Sequence, residues 1–255
     1  MLRIQNLTCG YGHTQTVCGI NMEFDKGEVI CLLGPNGVGK TTFFKSLLGF
    51  IKILEGEIFI DGKSLKKLSK KEKAIEIAYV PQAHQTPFNF NVFDVIMMGR
   101  TIHFKKNYPE EQDRLIVNRI IDELGMESLK DKSYLQISGG EQQLVLIARA
   151  LAQESDIIIL DEPTSNLDFG NQAKIMNLIR KLKKQNKLII MTTHSPNQVF
   201  ECATRVVVFK SGQVYAVGNP DEIINDDFLF DIYDVKGKVY ALDGKRSKVC
   251  VPCQV

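Results

Sequence analysis

The chain lacks any apolar run near the roughly 20 residues a membrane-spanning helix needs, so it is expected to be soluble and cytosolic. It also lacks a charge excess. Its 32 Lys and Arg face 30 Asp and Glu, for a net charge of +2. A dedicated nucleic-acid binder is usually more basic. Internal repeats, low-complexity segments and sustained heptads are missing, which argues against solenoids and inserted coiled coils. Cys250 and Cys253 form a CxxC with no second ligand pair nearby, so no zinc site is expected. The six cysteines read as incidental thiols of a reduced compartment, with Cys31 in the core. The opening residues Met1 to Thr8 alternate apolar and polar, as a strand does and a signal peptide does not.

What is present suits one domain with inserted subdomains: 255 residues, 44% of them apolar. Leu2–Thr8 and Val17–Phe24 read as antiparallel strands, with a Cys-Gly-Tyr-Gly turn between them. Glu28–Leu33, Asp156–Leu160 and Leu188–Thr192 are continuous apolar runs, the signature of buried parallel strands. Ile77–Val80 is a further strand. Helices are expected over Lys40–Phe50, Leu65–Lys73, Glu110–Leu124, Asn171–Lys184 and Asp221–Asp231. The end of the chain reads as a hairpin over Arg205–Val217, then strand pieces from Val235 around a turn at 243–244. The fold class is α/β, with a mainly parallel P-loop NTPase core, an antiparallel β subdomain and an inserted helical subdomain. The expected boundaries are 1–88 and 152–234 for the core, 89–151 for the helical subdomain and 235–255 for a tail.

Gly34-Pro35-Asn36-Gly37-Val38-Gly39-Lys40-Thr41 fits G-x-x-x-x-G-K-[ST] in full, between a buried strand and a helix. Glycines let backbone N–H groups turn toward phosphate oxygens. The helix start adds about half a positive charge. Lys40 is placed to reach the terminal phosphates and Thr41 to ligate Mg²⁺, with Thr42 counted in the same binding set. Asp161 and Glu162 end a buried strand, where open α/β sheets bind ligand. Asp161 is the candidate metal holder and Glu162 the candidate general base. His194 ends another strand, and Gln82 follows a fourth. Ser138-Gly139-Gly140-Glu141 opens an apolar helix and reads as a second anion-binding start.

In order, Tyr11, the loop 34–41, Gln82, Ser138-Gly-Gly-Glu, Asp161-Glu162, Ser165-Asn-Leu-Asp168 and His194 resemble the ATP-binding subunits of ABC transporters. The resemblance covers nearly the whole chain. It implies that Tyr11 stacks on adenine, Gln82 contacts Mg²⁺ and the attacking water, and His194 contacts the γ-phosphate. It implies a head-to-tail dimer of two copies, bridged by Asp168. Each ATP is then sandwiched between one copy's loop 34–41 and the other's Ser138-Gly139-Gly140-Glu141 segment. ATP and Mg²⁺ are the implied cofactors. The implied partners are a membrane permease, bound on the cytoplasmic side of the membrane, and a solute-binding protein. "MMGRTIH" at 97–103, "EQQLVLIARAL" at 141–151, "LDFGNQ" at 167–172 and "THSPNQ" at 193–198 are similar to the metal-chelate importer branch, whose cargoes are iron-siderophores, haem, cobalamin and molybdate-type relatives. Ile137 stands where the family has leucine, Glu141 where glutamine is usual, and Gln142 where arginine is common. The segment from Phe88 to Met98 is the expected permease dock. The alternative class is a non-transport ABC ATPase acting on nucleic acid or in repair, whose usual coiled-coil insertions are missing here.

Overall fold

The computed structural model describes residues 1–12, 14–82, 89–105, 108–242 and 247–253. Two compact units emerge: residues 1–68 with 176–255, and residues 69–175.

In the first unit, β1 (Leu2–Tyr11) and β2 (Thr14–Phe24) pair antiparallel. Leu2 and Ile4 are buried while Arg3 and Gln5 are exposed, the period-two pattern of a sheet covered on one face. Pairing runs through the expected Cys-Gly-Tyr turn to Tyr11 against Thr14. All five residues of β3 (Val29–Leu33) are buried. The following helix, α1 (Lys40–Leu47), stops three residues before its expected end at Phe50. Gly49 turns left-handed at φ +70°, and Phe50 N–H returns to Lys45 O at 2.8 Å, a helix stop. β4 (Ile53–Ile60) and β5 (Lys63–Ser64) complete a sheet of order β2-β1-β4-β5.

One helix was expected over Leu65–Lys73. Instead the first unit reaches residue 68 through a 3-10 turn at Leu65–Lys67, and the second unit opens with α2 (Lys70–Glu76). The helix starts afresh because Ser69 and Glu72 form a capping box. β6 (Ile77–Val80) follows, then α3 (Val92–Met97), α4 (Glu111–Glu123), α5 (Gly139–Ala152) and β7 (Ile157–Leu160), which pairs parallel with β6. α6 (Phe169–Lys184) leads back to the first unit. There β8 (Leu188–Thr193), α7 (Pro196–Cys202), β9 (Arg205–Lys210) and β10 (Gln213–Gly218) follow. β3 lies between β8 and β9, parallel to both.

The helix expected over 221–231 is two helices, α8 (Pro220–Ile223) and α9 (Asp226–Tyr233). The break falls at Asn225, whose Oδ1 accepts from Phe228 N–H at 2.9 Å and caps the second helix. β11 (Gly237–Leu242) and β12 (Ser247–Pro252) form a hairpin; the turn expected at 243–244 lies outside the described residues. Asn197 on α7 holds this hairpin. Its Oδ1 accepts from Cys250 N–H at 2.7 Å, and its Nδ2 donates to Cys250 O at 3.4 Å.

The branch-like stretch 97–103 is a structural staple. Gly99 packs so tightly that a Cβ there would stand 2.1 Å from Arg149 O on α5. Arg100, buried, donates from Nε to Asp113 Oδ1 at 3.0 Å, and from Nη1 to Ala152 O and Glu154 Oε2, each at 2.7 Å. His103 Nε2 lies 3.0 Å from Gln153 O. Removing one partner of a buried ion pair strands the other charge. Arg100→Ala is therefore expected to destabilise the chain by about 3 kcal/mol, read from urea unfolding. A loss below about 1 kcal/mol would mean that the pair behaves as a surface one.

Candidate functional site

The expected site residues divide between the two units. In the first, β3 feeds the loop 34–39 into α1. Gly34 and Gly39 take φ of +147° and +106°, where side chains are strained. A Cβ on Gly34 would stand 2.4 Å from Phe209 O, and one on Gly39 2.8 Å from Val17 Cγ2. Lys40 is buried, and its Nζ donates to Gly34 O at 2.5 Å and Pro35 O at 2.8 Å. The loop's own carbonyls thus aim the ammonium. Asn36, Gly37 and Thr41 are exposed, Pro35 and Val38 half-buried, and Thr42 buried. Tyr11 is an exposed ring at the end of β1. Lys45 Nζ lies 5.6 Å from the ring centroid and donates to Tyr11 Oη at 3.2 Å. An exposed aromatic face of this kind suits stacking. His194 follows β8 and is exposed. Its turn is fixed by Thr193 Oγ1, which accepts from Ser195 N–H at 3.1 Å and donates to Gln198 Oε1 at 2.8 Å.

In the second unit, β6 and β7 end together. Val80 pairs with Leu160, and Asp161 N–H donates to Val80 O at 2.9 Å. Asp161 is buried, with Tyr79 Oη 3.4 Å from its Oδ2. Burial, then the Asp161 charge, pushes the Tyr79 phenol up to about 12. Tyr79 therefore stays protonated and can donate. Glu162 sits at φ +45°, a left-handed conformation costing a non-glycine residue roughly 1 kcal/mol or more. Gln82 Nε2 donates to Glu162 Oε2 at 2.7 Å. The residues after β6 and β7 that the sequence singled out are thus hydrogen-bonded to each other.

Ser138 caps α5 in a capping box with Glu141. Ser138 N–H and Oγ donate to Glu141 Oε2 at 2.8 and 2.7 Å. Those bonds, the hydroxyl's first, hold the Glu141 carboxyl below the usual range. Glu141, counted among the binding residues, here braces the helix start. Gln142 Nε2 donates to Tyr134 O at 3.0 Å and Ile137 O at 3.4 Å. A neutral amide thus secures the approach to Ser138 where arginine is common. Asp168 is exposed at the start of α6 and accepts from Asn171.

Tyr79 and Asn171 were missed in the sequence reading. The role of Tyr79 follows from strand register, which puts it opposite Ile159, two residues before Asp161, and which the sequence does not spell. Asn171 follows Asp168 by three, the spacing of an N-cap and its partner.

Residues 17–165 match the family model described as ABC transporter. The chain belongs to the ABC transporter family. It is the ATP-binding component, an ATPase of the transport cycle. An uncharacterized ABC transporter ATP-binding protein of Haemophilus influenzae is 41% identical over 234 residues, covering 91% of this chain and 89% of that protein. The iron(3+)-hydroxamate import ATP-binding protein of Bacillus subtilis is 30% identical over 252 residues, covering 98% and 94%. Among solved structures, an inward-facing conformation of a candidate metal-chelate type ABC transporter superposes with a TM-score of 0.86. It is 30% identical and covers 99% of this cassette and 97% of that chain.

Proposed function

We propose that this cassette hydrolyses ATP to power a separate membrane permease importing a metal chelate, of the iron-siderophore, haem, cobalamin or molybdate-like kind. The observation that carries the reading is the 2.7 Å bond from Gln82 to Glu162. It ties a strand-end glutamine to the candidate base. The cargo class rests on the names of the relatives, because a cassette does not touch its cargo.

Lys40 and the N–H groups of the loop 34–41 bind the phosphates, and Tyr11 stacks on the base. Glu162 takes the proton from the attacking water, its carboxylate oriented by the Gln82 amide. His194 donates to the γ-phosphate. Thr41 in the first unit, and Gln82 and Asp161 in the second, each carry oxygen donors of the hard type that Mg²⁺ prefers, and the Asp161 carboxylate supplies charge. When bound, Mg²⁺ would offset negative charge on the phosphate oxygens. A second copy contributes Ser138, Gly139, Gly140 and Asp168, so closure depends on ATP touching both copies only in the closed state.

Among the described residues no helix is long and apolar enough to cross a membrane. The cassette sits peripherally on the cytoplasmic face through its permease, and a solute-binding protein delivers the chelate. The proposed dock is the segment 88–98. Phe88 lies outside the described residues, Phe90 and Met98 are exposed, and Phe93 is covered by Lys130, whose Nζ is 5.2 Å from the ring centroid.

The test is reconstitution of the cassette with its co-purifying permease in proteoliposomes. A chelate-loaded solute-binding protein is expected to raise ATPase activity severalfold over the unloaded protein. Failure of every chelate, with stimulation by DNA or RNA instead, would move the protein to the repair class.

A further inference from the structure

The two glycines behind Ser138 are not equivalent. A Cβ built on Gly139 meets nothing within 4 Å. One built on Gly140 would stand 2.3 Å from Asn171 Nδ2 and 2.5 Å from Asn171 Cγ, closer than real side chains approach. The missing side chain of Gly140 is the slot in which the Asn171 carboxamide rests. From that slot Nδ2 donates to Asp168 Oδ2 at 2.7 Å, while Asn171 N–H donates to Asp168 Oδ1 at 2.8 Å. One residue therefore fixes both oxygens of the Asp168 carboxylate and lies against the helix start that Ser138 caps.

We infer that Asn171 is a positioning residue, locking Asp168 to the Ser138–Gly140 helix start so that both meet the second copy as one preformed edge. Gly140 lacks a side chain to admit Asn171. An ordinary N-cap would need only the bond from Asn171 N–H to Asp168. It needs neither the second bond nor a carboxamide seated on another helix. Pre-ordering the two segments removes an entropic cost otherwise met when the copies close. The Asp168 carboxyl is held below the usual range, first by the Asn171 N–H bond, so it presents a charge.

The inference rests on the dimer reading, and its test separates the two. In a Glu162→Gln parent, ATP-driven dimerisation is measured by analytical ultracentrifugation for Asn171→Ala, Gly140→Ala and the double variant. Nucleotide affinity of the monomer and melting temperature are followed alongside. Asn171→Ala is expected to weaken dimerisation about tenfold, the size of a coupling between contacting groups, with monomer affinity unchanged. On helix propensity alone Gly140→Ala should be benign or stabilising. It is expected to weaken dimerisation in the parent and to weaken it clearly less once Asn171 is alanine, the part of its effect that comes from the clash being relieved. Asn171→Ser, smaller than asparagine, stands in if the alanine variant melts early, with the same relief of Gly140→Ala. Additive effects of the two changes, or full dimerisation of Asn171→Ala, overturn the inference. A parent that stays monomeric with ATP overturns the dimer reading instead.

Discussion

Glu162→Gln is expected to lower ATP turnover about a thousandfold, within the range a general base contributes. ATP should still bind, and the variant should accumulate as an ATP-trapped dimer. The change is nearly isosteric and keeps an oxygen to accept from Gln82 Nε2, now 2.7 Å from the carboxylate. The strained backbone at φ +45° is met by the same side-chain length. What disappears is the proton acceptor. Single-turnover hydrolysis, with binding measured separately, checks both halves. Turnover within tenfold of the parent would remove Glu162 from the chemistry and leave it a structural partner of Gln82.

Lys40→Ala should act on the other half of the cycle. Nucleotide affinity is expected to fall about a thousandfold, or roughly 4 kcal/mol. Two effects add. The phosphates lose a charge-assisted donor. The loop also loses the ammonium that now donates to Gly34 O and Pro35 O, so the backbone cradle is less well held. Fluorescent-nucleotide titration reads the affinity, and a melting curve guards against unfolding. Unchanged affinity would mean that the glycine loop binds phosphate by its N–H groups alone.

Much of this was legible because the informative residues sit where local rules are strict. A five-residue apolar run ending in glycine could be little other than buried β3, and the strand ends then placed Lys40, Asp161, Glu162 and His194. Contacts between distant residues were less legible. Nothing in the spelling of residues 97–103 says that Arg100 reaches Asp113 and Ala152 together. Nor does Gly-Gly reveal that one glycine opens on empty space and the other on Asn171. Helix ends were misjudged where a cap decided them: Gly49, Ser69 and Asn225 each stop or restart a helix that apolar spacing would have continued.

The hairpin pinned to Asn197 has a consequence for labelling chemistry. Cys250 is shielded there, its thiol pushed up to about 11 by burial first. Cys9, Cys31 and Cys202 are buried, and Cys18 is half-buried with its thiol donating to Gln15 Oε1 at 3.6 Å. Cys253, just beyond β12, is exposed. A maleimide dye should therefore react first at Cys253, giving a reporter on the very end that Asn197 tethers. Its anisotropy through the ATP cycle would show whether the hairpin stays fastened to the helix that follows His194 or lets go when nucleotide turns over.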